Sequence, residues 1–200
     1  MKMLDVSKSP ALWYDELFEN SEANDFIFFY KNDDDYIWFI TQFTQYLCRE
    51  LVETEVAPIF GRHIRSLKAF LYQLNFSLPC GFRYGIKYKT HALYDLALNF
   101  ETEPKRRLVL WNDADYLFES RNGVFIEIFD VLVVAAYCNR KGIATDGFND
   151  EGRSYQVDQR NLFFFQYKFK EKVEDFIAKQ RVYIPPLAKE QHLEFNLFVL

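Results

Sequence analysis

Three sets of side chains in this 200-residue chain have types and spacings that could do chemistry. Carboxylates come in close groups, Asp33–Asp35, Asp113 with Asp115, and Asp150 with Glu151, the raw material of general acid–base catalysis. Each group falls at an expected helix start or in a loop, where capping and solvation account for it. The histidines His63, His91 and His192 are scattered, and none lies one helical turn from another His or a Glu in a metal-binding register. Cys80 could be a nucleophile with His91 as its base, but it sits in a Pro-Cys-Gly loop without a nucleophile signature, so an ordinary thiol is expected. The stretch LVLWNDAD reads as an apolar strand delivering acids to its end, the form of a Walker B strand. It has no phosphate cradle to work with, because neither Gly-x-x-x-x-Gly-Lys-[Ser/Thr] nor Gly-x-Gly-x-x-Gly occurs. The residues therefore offer no positive argument for an enzyme, and no cofactor or metal is expected.

The elements that carry these residues follow from hydrophobic periodicity. Phe26–Tyr30 reads as a short aromatic strand. In DYIWFITQFTQYLCRELVE, residues Ile37, Ile40, Phe43, Leu47 and Leu51 recur at three- and four-residue steps, predicting an amphipathic helix with Asp33–Asp35 at its N-terminus. VAPIF is a brief strand. Ser66 caps a helix over LKAFLYQLNF that Pro79 and Gly81 stop, and a second helix is expected over residues 89–99. RLVLWND is a strand apolar on both faces. A short helix over 114–119 and a long one over 123–140 follow, the latter ending at Gly142 as a left-handed cap. Ile143–Arg160, with Gly147, Gly152 and four acids, reads as an exposed, mobile insertion. RNLFFFQY is a strand, residues 168–179 a helix, and LEFNLFVL a strand-like tail. This alternation is an α/β pattern with a parallel sheet.

Composition narrows the classes further. Half the residues are hydrophobic and 19% are aromatic, with 22 Phe and 13 Tyr, which suits a folded domain rather than disorder. Three widely spaced cysteines, Cys48, Cys80 and Cys138, suggest reduced thiols, not a disulfide framework. The longest apolar run is interrupted by Glu127 and Asp130, and the first ten residues lack a secretory apolar stretch, so a soluble cytoplasmic protein without membrane contact is expected. Residues 1–56 carry 12 Asp/Glu against 4 Lys/Arg, whereas residues 57–200 carry 17 against 20. An acidic N-terminal third argues against direct nucleic-acid binding and suits a basic protein partner.

The segment GRHIRSLKAFLYQLNFSLPCGFRYG, taken with ALYDLAL, RLVLWNDADYLF, VLVVAAYCNRKG and RNLFFFQ, resembles the barstar family of ribonuclease inhibitors over about residues 57–168. The resemblance rests on the Ile-Arg-Ser helix entry, the Tyr84-Gly85 pair, Ala-Leu-aromatic-Asp at residues 92–95, Leu-Val-Leu at 108–110, and Gly142. It implies a barstar-like small parallel three-stranded sheet packed by helices, with an acidic N-terminal extension (1–56), a barstar-like domain (57–168) and a C-terminal helix and tail (169–200). It also implies an immunity protein that blocks a cationic ribonuclease or other toxin through an acidic and aromatic helix face. Carried over by position, the partner-binding residues would be Asp95, Tyr94 and Tyr84, with Tyr88, His91 and Tyr137 beside them. His91 stands where the family's recognition helix has a second aspartate, and Tyr137 and Lys141 replace acidic positions. The alternative implied is a barstar-fold interaction or adaptor protein with no nuclease target.

Overall fold

A computed structural model describes residues 1–19, 21, 23–51, 53–77, 97, 105–143, 156–184 and 189–200. The fold is α/β, with a parallel central sheet packed by helices on both faces. The chain runs through strand β1 (Lys2–Met3), helix α1 (Pro10–Tyr14) with a π-helical turn at Asp15–Glu19, β2 (Asp25–Tyr30), α2 (Asp33–Glu50), β3 (Thr54–Phe60) and α3 (Leu67–Ser77). It continues through β4 (Arg106–Asn112), α4 (Asp115–Ser120), α5 (Asn122–Lys141), β5 (Asp158–Gln166), α6 (Lys170–Lys179), a small antiparallel pair β6 (Val182–Ile184) and β7 (Lys189–Gln191), and β8 (Phe195–Val199).

The main sheet has the order β1-β8-β2-β5-β4-β3, and every neighbouring pair is parallel. Strand alternation sends Phe26, Phe28, Leu108, Leu110, Leu162 and Phe164 to the face covered by α1 and α2. Ile27, Phe29, Val109, Trp111, Phe163 and Phe165 go to the other face, under α3, α4, α5 and α6. Two covered faces are why these strands read as unbroken apolar runs rather than alternating ones. Stacked rings fill the α2 face: Phe28 lies 4.8 Å from Phe164 and 5.3 Å from Phe198, centroid to centroid.

The three strands expected to form the sheet, β3, β4 and β5, are adjacent and parallel. The sheet is larger than the expected three strands, however. Strand β2, from the acidic segment 1–56, is hydrogen-bonded between β5 and β8, and β8 comes from the segment 169–200. The boundaries at 56 and 168 therefore do not separate the sheet from its flanks. The chain leaves β2 for the far edge at β3 and works back through β4 and β5, so β2 and β3, consecutive in sequence, lie apart in the sheet. Periodicity within one segment cannot report such a crossover.

Local signals held where their causes are local. Ser66 Oγ accepts from the Ala69 amide at 3.2 Å at the start of α3, and Gly142 ends α5 at φ 64°. Pro58 lies within β3, an edge strand bonded on one side only, where a missing amide hydrogen is tolerated. Two readings need correction. Helix α2 buries Tyr36, Phe39, Phe43 and Leu47, while Ile37 is 58% exposed, because the aromatic face wins the larger apolar contact. Strand β5 begins at Asp158, with Val157 and Arg160 already buried, so the expected loop does not extend to Arg160. Residues 144–155 of that loop, and all but Ala97 of the helix expected over 89–99, lie outside the described residues. Among the described residues α5 alone is long and apolar enough to cross a membrane. Its Phe125, Ile128, Phe129 and Leu132 are packed in the core.

Candidate functional site

In an open parallel sheet the place to look for a site is the crevice beyond the carboxyl ends of the strands, where successive crossovers leave to opposite faces. Here β2 delivers the chain to α2 on one face, while its neighbour β5 delivers it to α6 on the other. The loop between β2 and α2 occupies the position in which a phosphate cradle meets a helix N-terminus. Strand β4 ends beside it with Asn112 and Asp113, as the Walker-B-like reading of LVLWNDAD requires.

This crevice is closed by the protein's own side chains. Tyr30, at the end of β2, and Tyr36, in α2, stack with ring centroids 4.1 Å apart and planes within 8°. The Tyr30 hydroxyl donates to Asp113 Oδ1 at 2.8 Å, and the Tyr36 hydroxyl donates to Asn112 Oδ1 at 3.1 Å. Arg62 takes the rest of Asp113: Nε donates to Oδ2 at 2.9 Å and Nη2 to Oδ1 at 3.4 Å. Both carboxylate oxygens are thus occupied. Burial, and next the bond to Asp113, pushes the Tyr30 phenol up, away from ionisation. The Asp113 bond likewise raises Arg62.

The backbone holding Asp113 is special. Asp113 has φ 50°, the left-handed region that a non-glycine residue rarely adopts. Gly61 lies against it so closely that a Cβ there would meet the Asp113 carbonyl oxygen at 2.1 Å and that of Asn112 at 2.6 Å. The next residue, Ala114, donates its amide to the Phe164 carbonyl at 2.9 Å, tying the end of β4 to β5. Asp115 is buried with Oδ1 unpartnered, and burial, reinforced by the charge of Asp113, pushes its carboxyl up to about 6.

Around this plug the surface is acidic and aromatic. Asn32 caps α2, its Oδ1 accepting from the Asp34 amide at 2.8 Å. Asp33, Asp34 and Asp35 fill the first turn, complementing the positive end of the helix. Beyond them Ile37 and Trp38 stand 58% and 53% exposed. Lys31 lies 4.7 Å over the Tyr167 ring, joining the ends of β2 and β5.

Of the residues carried over from the barstar resemblance, Asp95, Tyr94, Tyr84, Tyr88 and His91 lie outside the described residues. Tyr137 is half-buried on α5 and lines a cavity of about 390 Å³ with Asp25, Arg140 and His192. That cavity is at the amino end of β2, the opposite end of the strand from the Tyr30–Asp113 plug. Among the described residues no group of three or more His, Cys, Asp or Glu is placed to hold a metal ion. Cys48 is exposed and Cys138 buried. Sequence reasoning placed Asp33–Asp35 at the start of α2, where they are found, but expected Asp113 and Asp115 to be solvated capping acids, whereas both are buried and Asp113 is bonded to Tyr30 and Arg62; it missed Tyr30, Tyr36, Arg62 and Gly61. Their signal, an aromatic at a strand exit and a Gly-Arg pair after an edge strand, has meaning only once the strand order is known.

No known protein family matches the sequence, and no curated protein does. Among solved structures, a chain in the structure of Drosophila ORC bound to AT-rich DNA and Cdc6 is similar to this one, with a TM-score of 0.54 and 16% identity. The similarity covers 96% of this chain and 28% of that one. At that identity the likeness is one of general α/β fold, and this chain spans less than a third of the length of that one.

Proposed function

We propose that this chain is a non-catalytic protein-interaction module, an adaptor that docks a basic protein surface within a larger assembly. The observation that carries this reading is the closed strand-end crevice. Asp113, the acid best placed to hold a metal-bound phosphate, is spent on Tyr30 and Arg62, and the helix N-terminus beside it is occupied by three aspartates. A fold does not by itself carry a function, so recognition rests on what the surface exposes. The face offered is Asp33 and Asp34 with Ile37 and Trp38: carboxylates to steer a cationic partner, and large apolar side chains to bury against it. The fold likeness to a chain of a multi-protein assembly agrees with such a role.

The test has two parts. Calorimetric titration with Mg·ATP should show no binding, and a photo-crosslinker at position 38 should capture a basic protein that Asp33→Lys with Asp34→Lys releases. Tight Mg·ATP binding would overturn the reading.

The barstar-type inhibitor is the second reading, favoured by the contiguous parallel trio β3, β4 and β5. Its recognition face would be Asp95, Tyr94 and Tyr84, and its partner a cationic ribonuclease or toxin. Inhibition of a ribonuclease that Asp95→Ala abolishes would select it over the adaptor.

A further inference from the structure

Strands β2 and β5 place Asp25 and Asn161 directly side by side in register, both fully buried. The amide of Asn161 uses both of its hydrogens: Nδ2 donates to Asp25 Oδ1 at 2.7 Å and to the Leu132 carbonyl of α5 at 3.0 Å. What remains is one oxygen on each residue, Asp25 Oδ2 and Asn161 Oδ1, and neither has a partner. Two unpartnered acceptors on adjacent groups, away from water, are strongly unfavourable if Asp25 is ionised. Turning the Asn161 amide over does not help, since its oxygen would then face Asp25 Oδ1 and the Leu132 carbonyl.

One proton resolves both. We propose that Asp25 is held as a neutral carboxylic acid whose Oδ2 hydroxyl donates to Asn161 Oδ1, closing an acid–amide ring that latches β2 to β5 beneath α5 and opens when the proton leaves. The charged and titratable groups around it are consistent with this. From α5 come Tyr137, Arg140 and Lys141, and from the segment before β8 come His192 and Glu194, all lining the cavity that Asp25 also lines. The nearest cation, Arg140, is engaged by Asp158 at 3.1 Å. Burial outweighs both the Asn161 bond and Arg140, pushing the Asp25 carboxyl up to about 8.

A folded chain that keeps a proton which the unfolded chain has lost is destabilised as pH rises. The latch therefore contributes fully below the ordinary carboxylate range, weakens from about pH 4 upward, and is gone above about pH 8.

The test uses the full chain and Asp25→Asn, which keeps both bonds because its amide can donate to Asn161 Oδ1. In denaturant titrations from about pH 5 to pH 9, the ratio of the wild-type to the variant unfolding constant should rise by roughly tenfold per pH unit up to pH 8, the slope of one proton. A ratio that does not change with pH, or that falls, overturns the proposal. Should the variant fail to fold, infrared spectra of wild type with carbon-13 aspartate decide the matter. At pH 7, above the range of Asp115 and Asp130, whose carboxyls burial pushes up to about 6, the carbonyl stretch of a protonated carboxyl should be present and should vanish above pH 8. Its absence at pH 7 equally overturns the latch.

Discussion

Tyr30 and Asp113, 83 residues apart in sequence, are joined by a buried hydrogen bond of 2.8 Å at the carboxyl ends of β2 and β4. Arg62 completes the contact from the turn after β3. Three strand exits are thereby tied into one plug, and its strength can be measured.

Tyr30→Phe should cost about 1.5–3 kcal/mol, the range for a hydrogen bond to a charged group, and Tyr36→Phe, which loses a neutral bond to Asn112, about 1 kcal/mol. Urea denaturation gives both values. Equal costs would mean that Asp113 is not the stronger anchor.

Gly61→Ala should destabilise by about 3 kcal/mol or more, the upper end of overpacking, because its Cβ would meet backbone carbonyls that cannot move aside. Gly123→Ala is the control. A Cβ there has nothing within 4 Å, and the position is helical, so it should stabilise by about 0.5–1 kcal/mol. Thermal unfolding of the two variants should move in opposite directions.

Asp115 has its carboxyl raised by burial to about 6, so its protonated form favours the folded chain. Stability should decline as pH rises from about 4 to about 6 through this group and level off above. Asp115→Asn should remove that part of the slope in pH-dependent denaturation and leave the part above pH 6 intact.

On the proposed recognition face, Trp38→Ala should weaken binding to the captured partner by about 2 kcal/mol or more, mainly through faster dissociation. Asp33→Asn with Asp34→Asn should instead slow association, and the effect should shrink as salt rises. Surface plasmon resonance at two salt concentrations separates the two. A Trp38 variant that binds like wild type would move the interface elsewhere.

Much of the local structure was legible in the sequence. The strands over Phe26–Tyr30, RLVLW and NLFFFQ, the Ser66 cap, the Gly142 stop and the acidic start of α2 are all set by interactions within a few residues, and each is found where those interactions put it. Even the burial of both sheet faces could be read from unbroken apolar runs. The rotation of α2 was not legible, because Ile37 and Tyr36 are both apolar enough for the core and only the stacked partner at Tyr30 selects one.

The sequence alone determined the α/β class, the main helices and the apolar strands, together with the ends marked by a local cap such as Ser66 and Gly142, since helix periodicity, capping and strand apolarity are short-range effects. Only the tertiary structure decided that β2 lies between β5 and β8, and with it every pairing on which a function depends. Tyr30 meets Asp113 across 83 residues and Asp25 meets Asn161 across 136. The physical reason is that a parallel crossover can carry the next strand to any vacant edge of the sheet. Which side chains share a strand end then depends on how all the helices pack at once, a global minimum that no single segment encodes.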